Sequence, residues 1–131
     1  TKSSNRLSKE SIERGDHFLF MNGREVFRHA VKRFPETINE SLEFNGLTSE
    51  DIDLLVPHQA NLRISDMIQK KMGLPDNKVF NNIQKYGNTT AASIPICLSE
   101  AKKEGRINNN DLVVCAAFGA GFLWGSTVIK W

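Results

Sequence analysis

Two short stretches of the chain combine residue types that can hold developing negative charge. The first is Val56-Pro57-His58-Gln59-Ala60-Asn61, and the second is Tyr86-Gly87-Asn88-Thr89-Thr90-Ala91-Ala92-Ser93. A neutral imidazole donates a hydrogen bond from Nε2, and a primary amide donates from Nδ2. Both suit an oxyanion or enolate oxygen. His58 and Asn88 are therefore read as half of an active site, in which two turns face each other. Each residue also has a plainer reading. A histidine at a strand end can be structural, and an asparagine after a glycine commonly makes a turn or caps a helix. Chemistry at His58 is favoured by its place. Pro57 fixes the local backbone, and the helix that follows presents a positive end that disfavours imidazolium.

The other chemistry-bearing residues offer no nucleophile. Cys115 lies in an apolar run and Cys97 in a helical one, where cysteine is a small apolar filler. No Gly-x-Ser-x-Gly elbow is present. His17, His29 and His58 lack ligand spacing, so no metal site is expected. Gly119-Ala120-Gly121 with Gly125 has the wrong spacing for a dinucleotide loop and runs into Thr127-Val128-Ile129, which favours strand. A tight turn whose backbone approaches a ligand stays open there. Arg28, Arg63, Lys70 and Lys71 are either solvated charge or a docking surface for an acidic partner or a phosphate. A site built on these residues must take its nucleophile from elsewhere.

The surrounding pattern tells what positions them. Residues 52–56 are apolar apart from Asp53 and read as a buried strand that stops at Pro57, which has no N–H to give. Asn61 caps a helix over 62–72 whose buried face is Ile64, Met67, Ile68 and Met72. Lys70 and Lys71 suit its C-terminal end, and Gly73 and Pro75 stop it. His58 thus sits outside the carboxyl end of a strand, where α/β proteins bind ligands. Upstream, 17–21 reads as a first strand, and Asn22-Gly23 turns the chain into a helix over 24–44. Its stripe is Val26, Phe27, Ala30, Val31, Phe34, Ile38 and Leu42, with a bend expected at Pro35. Thr48 and Asp51 form a one-turn cap. Downstream come a short strand at Val79-Phe80, a helix over 89–103, and strands over 112–118 and 122–131.

That order predicts an α/β fold with a mixed sheet, parallel over much of its width and closed by an antiparallel pair. Continuous apolar strands predict helices on both faces. Residues 1–15 are polar and read as a linker or frayed end with a short helical piece near 8–14; 16–131 form the domain. A net charge of +2 over 131 residues makes no case for nucleic acid. No apolar run reaches the ~20 residues that span a bilayer. Two cysteines in apolar contexts fit a reducing cytoplasm. A first residue of Thr1, with no signal peptide, leads us to expect a chain processed or cut from something longer.

Three segments carry a family likeness. His58-Gln59-Ala60-Asn61-Leu62-Arg63-Ile64, Tyr86-Gly87-Asn88-Thr89-Thr90-Ala91-Ala92-Ser93-Ile94-Pro95 and Phe118-Gly119-Ala120-Gly121-Phe122-Leu123-Trp124-Gly125 resemble, in order and spacing, the C-terminal half of a beta-ketoacyl-acyl carrier protein synthase III. Asn22-Gly23-Arg24-Glu25-Val26-Phe27 resembles the start of that half, and the likeness covers 15–131. It implies the thiolase fold: two similar halves stacked as five α/β layers, in a homodimer, with this chain as the second half. It also implies an acyltransferase that starts fatty acid biosynthesis. Such an enzyme moves an acyl group from coenzyme A to a cysteine, then condenses it with malonyl-carrier protein and releases carbon dioxide. The resemblance maps catalytic roles to His58 and Asn88, and a backbone oxyanion donor to Ala120. It maps the pantetheine tunnel to Gly23, Phe27, Ala30 and Asn61, and the carrier-protein face to Arg28, Arg63, Lys70 and Lys71. Coenzyme A thioester and acyl carrier protein are the implied substrates, with no separate cofactor. The family's catalytic cysteine belongs to the N-terminal half, so this chain is expected to be inactive alone. Two alternatives stand beside this reading: a related condensing enzyme of secondary metabolism, and a non-catalytic module that docks a carrier protein. A docking module needs neither His58 nor Asn88.

Overall fold

The most apolar segments of the chain pair at the centre of the molecule. Leu54–Pro57 (β1) runs parallel to Leu112–Gly119 (β2), with Val56 opposite Cys115 and Pro57 opposite Ala116. Leu123–Lys130 (β3) returns antiparallel to β2, which gives the order β1-β2-β3. Alternate side chains of a strand point to opposite faces, and here both faces are filled. Leu55, Val114, Ala116 and Phe118 enter one apolar cluster; Leu54, Val56, Val113 and Cys115 enter the other. The computed structural model describes residues 8–18 and 20–131.

Helices cover each cluster. Ala30, Phe34, Ile38 and Leu42 of Gly23–Phe44 (α2) recur every four residues and bury one stripe against the first cluster, beside Ile64, Ile68 and Met72 of Leu62–Met72 (α3). Cys97 and Ala101 of Ser93–Lys103 (α5) pack on the second. The expected α/β architecture, a mixed sheet with helices on both faces, is the one observed. Side-chain caps fix the helix starts: Glu25 N donates to Asn22 Oδ1 at 3.3 Å, and Arg63 N donates to Asn61 Oδ1 at 2.9 Å. Gly73, at φ +66°, closes α3 in the left-handed region. Thr48 N donates to Asp51 Oδ2 at 2.7 Å, the expected one-turn cap. Lys9–Glu13 (α1) begins at a capping Ser8, while 1–7 lie outside the described residues. α2 continues through Pro35 as one helix.

Five local expectations need correction. His17, Phe18, Phe20 and Met21 form no strand, and Leu19 lies outside the described residues. An apolar run becomes a strand only when a neighbour supplies ladder bonds, and Phe20 stays 89% exposed. Pro57 ends β1 from within rather than stopping it from outside; the next amide, His58 N, still donates to Ala116 O at 2.8 Å before the chain bends at Gln59 and Ala60. Met67 is not on the buried face of α3 but 36% exposed. Val79-Phe80 makes a single bridge to Leu55 rather than a strand. The helix expected over 89–103 starts only at Ser93, because Thr90 has φ +53°, outside helical space. A one-turn helix, Ile83–Tyr86 (α4), precedes it where none was expected.

Candidate active site

His58 follows directly on β1, and Ala120 follows directly on β2. Because these strands are parallel, both residues lie at the carboxyl end of the sheet, with Ala120 three residues beyond the level of His58, since Pro57 pairs with Ala116. His58 is half-buried, and this burial lowers its pKa from the ordinary 6.5. The helix that follows, α3, starts at Leu62 behind its cap Asn61. Ser93 Oγ lies 2.6 Å from His58 Nδ1 and accepts from Gln59 N at 3.3 Å. Ser93 Oγ bonds no other acceptor among the described residues. The Ser93 hydroxyl can give its proton to Nδ1, the arrangement in which the neutral ring keeps its own proton on Nε2. Burial and this bond together favour a neutral ring with Nε2 as its donor.

Asn88 is exposed and sits between two unusual backbone conformations. Gly87 has φ +68° and ψ −162°, a region open essentially to glycine alone, and Thr90 has φ +53°. Thr90 N donates to Asn88 Oδ1 at 2.9 Å. This bond decides which end of the amide is engaged. The oxygen is engaged, and Nδ2 has no partner among the described residues, which leaves it as the donor. Asn88 and Ser93 lie at opposite ends of the turn Thr90–Ala92, so the bond from Ser93 to His58 ties the two donor turns together.

Gln59 supplies a second tie that the sequence alone does not disclose. Its side chain is buried, at 3% exposure. Gln59 Nε2 donates to Pro57 O at 2.7 Å and to Asn81 Oδ1 at 3.3 Å, while Oε1 accepts from Asn82 N at 3.0 Å and Ile83 N at 3.1 Å. One amide thus joins the end of β1 to the start of α4. Ser93 and Gln59 are legible only as motif members, since apart from Pro57 their partners lie 22 to 35 residues away.

A groove of about 460 Å³ runs beside these turns. It is lined by Gly23, Phe27, Asn61, Arg63 and Asn88, among others. Three of the four residues expected to wall a tunnel therefore meet there. The fourth, Ala30, does not: it is 1% exposed and packed in the core. Arg63 lies at this groove with its guanidinium 5.5 Å from the centre of the Phe27 ring. Arg28 is exposed and paired to Glu25 at 2.6 Å. Lys70 and Lys71 are exposed in the last turn of α3, about 10 Å along the helix from Arg63. The two cysteines are buried, which pushes each thiol up to about 11 and leaves it a poor nucleophile. Among the described residues no group of three His, Cys, Asp or Glu side chains converges to hold a metal ion. No described helix is long and apolar enough to cross a membrane.

Comparison with known proteins agrees with this arrangement. Residues 42–131 match the family model described as 3-Oxoacyl-[acyl-carrier-protein (ACP)] synthase III C terminal. The chain is similar to the beta-ketoacyl-[acyl-carrier-protein] synthase III of Symbiobacterium thermophilum, at 51% identity over 124 residues, covering 95% of this chain and 38% of the relative. It resembles the solved enzyme of that name from Thermus thermophilus, at 50% identity and a TM-score of 0.84, over 86% of this chain and 35% of that one. It also resembles 3-oxoacyl-(acyl carrier protein) synthase III of Pseudomonas aeruginosa PAO1, at 34% identity and a TM-score of 0.87, over 96% of this chain and 39% of that one. The chain spans well under half the length of these relatives. It belongs to the 3-oxoacyl-[acyl-carrier-protein] synthase III family, as the C-terminal part of that family's thiolase-like fold.

Proposed function

We propose that this chain supplies the oxyanion-binding half of a decarboxylating condensation site, with His58 and Asn88 as its two neutral donors. The observation that carries the reading is the bonding at both donors. Ser93 engages His58 Nδ1 and Thr90 N engages Asn88 Oδ1, so each side chain offers only its N–H end. Loss of carbon dioxide from a malonyl thioester leaves an enolate. Two neutral donors stabilise its oxygen without protonating the carbon that must attack an acyl-thioester, each worth about 3 kcal/mol. In this reading Ala120 adds a backbone donor, and Gly23, Phe27 and Asn61 line the path of a pantetheine arm. Arg63, with Lys70, Lys71 and Arg28, faces an acidic carrier protein. Acyl-coenzyme A is the acyl source, and no separate cofactor enters.

The nucleophilic cysteine is proposed to come from an N-terminal half of the same enzyme, in a cytoplasmic homodimer that opens fatty acid synthesis. Exposed apolar side chains at Phe20, Leu123 and Phe44 support a covering partner of that kind. The test is kinetic and uses the intact enzyme. His58→Ala and Asn88→Ala are each expected to lower malonyl-thioester decarboxylation about 10²–10³-fold, with acyl transfer to the cysteine much less affected. Normal decarboxylation by both variants would refute the assignment.

A further inference from the structure

α4 is a single turn with no buried residue, so apolar packing does not hold it, and one turn of helix has no stability of its own. Polar side chains hold it instead. Its start is fixed by Gln59, as described. Both its ends also reach one carboxylate on α5. Glu100 Oε2 accepts from Asn82 Nδ2 at 2.9 Å, while Oε1 accepts from Lys85 Nζ at 2.6 Å and Tyr86 Oη at 2.5 Å. The Glu100 side chain is only 15% exposed. These donors draw its pKa down to about 2, the Lys85 ammonium foremost.

Tyr86 is the last residue before Gly87 and Asn88. Among the described residues, the backbone amides and side chains of 88–92 bond only within 88–92. The position of Asn88 is therefore inherited from its two flanks. One flank is α4, gripped by Glu100; the other is Ser93, bonded to His58. Ser93 and Glu100 are seven residues apart on α5, two turns, and so project from the same side of that helix about 10 Å apart. The asparagine loop is strung between two polar residues on one rigid helix, and one of those residues holds the histidine.

We propose that Glu100 is a positioning residue for Asn88: by clamping α4 to α5 it sets where the asparagine donor stands relative to His58. The proposal rests on the reading of Asn88 as an oxyanion donor. In the intact enzyme, Glu100→Ala is expected to slow malonyl-thioester decarboxylation about 10-fold, since a displacement of about an ångström at a donor has effects of that order or larger. Acyl transfer to the cysteine should stay near normal. In an Asn88→Ala background the same substitution should change decarboxylation by less than about 2-fold, because the donor it positions is gone. Amide hydrogen exchange over 87–92 should quicken about 10-fold in Glu100→Ala, with 54–58 unchanged.

Equal loss of both partial reactions, or a full 10-fold effect persisting without Asn88, would overturn the positioning role. If Glu100→Ala does not fold, Tyr86→Phe removes one of the three donors, and the same cycle is run at about 3-fold. Should Asn88→Ala itself decarboxylate normally, the donor reading fails on its own. Exchange over 87–92 then decides the clamp: quickened exchange upholds it, and unchanged exchange overturns it.

Discussion

The two turns that carry His58 and Asn88 are built in opposite ways. The His58 turn grows out of a buried parallel strand and is held by the sheet itself: His58 N donates to Ala116 O, and Leu55 O receives Phe80 N. The Asn88 turn has no strand beneath it. It hangs from a one-turn helix and a 3₁₀ turn, with backbone angles at Gly87 and Thr90 that few residues tolerate. Its place is set by side chains, namely Gln59 and Glu100 on one flank and Ser93 on the other. A donor on a ladder inherits its position from many backbone bonds. A donor on a clamped loop depends on a few residues, each of which can be removed.

That contrast can be broken at several points, of decreasing weight. After loss of the donors themselves, the largest effect is expected from Gln59→Ala. It strips the buried N–H of Asn82 and the half-buried N–H of Ile83 of their acceptor, and an unmet buried group costs about 1–3 kcal/mol. A fall of about 3 kcal/mol is expected in urea unfolding, and a change below about 0.5 kcal/mol would show that Gln59 does not join the turns. Next comes Gly87→Ala. The space around Gly87 is open, so no clash is involved. The cost is strain at φ +68°, ψ −162°, about 1–3 kcal/mol. It should appear as weaker decarboxylation with unchanged acyl transfer, and equal loss of both would place the strain elsewhere. The smallest effect belongs to Arg63→Glu, which is part of neither clamp. It should raise the KM for a carrier-protein substrate several-fold at low salt, through association, and leave the corresponding coenzyme A substrate nearly untouched. Equal losses would point to the Phe27 contact instead.

The same contrast explains what could be read from residue order. β1, β2, α2 and α3 are legible because local periodicity and burial agree: Ala30, Phe34, Ile38 and Leu42 recur every four residues, and Leu54–Pro57 is apolar throughout. Asn61 and Gly73 mark the ends of α3 by capping chemistry that acts within a few residues. The clamped loop is another matter. Nothing local marks Ser93 as the partner of His58, or Glu100 as the common acceptor for Asn82, Lys85 and Tyr86, because these pairs close only in three dimensions. The apolar residues Phe18, Phe20 and Met21 mislead for a related reason, since the pattern fits a strand but no described strand pairs with it. Spacing puts Met67 with the buried face of α3, yet it falls at the exposed margin of that stripe. The donors themselves stood out as residue types; the bonds that orient them did not.

The central claim is that His58 is a neutral ring with its proton on Nε2, held so by Ser93. Nitrogen-15 NMR of the imidazole tests it directly. Burial lowers the His58 pKa below 6.5, so the folded state binds the proton more weakly than the unfolded chain. The linkage contribution is therefore complete above about 6.5 and is lost as the pH falls from there through the folded value. At pH 7 the ring should show a protonated Nε2 and an unprotonated, hydrogen-bonded Nδ1, and should remain neutral to a lower pH than free imidazole. Ser93→Ala should remove the Nδ1 bond and mix the tautomers. A ring protonated on Nδ1, or an imidazolium at pH 7, would contradict the claim.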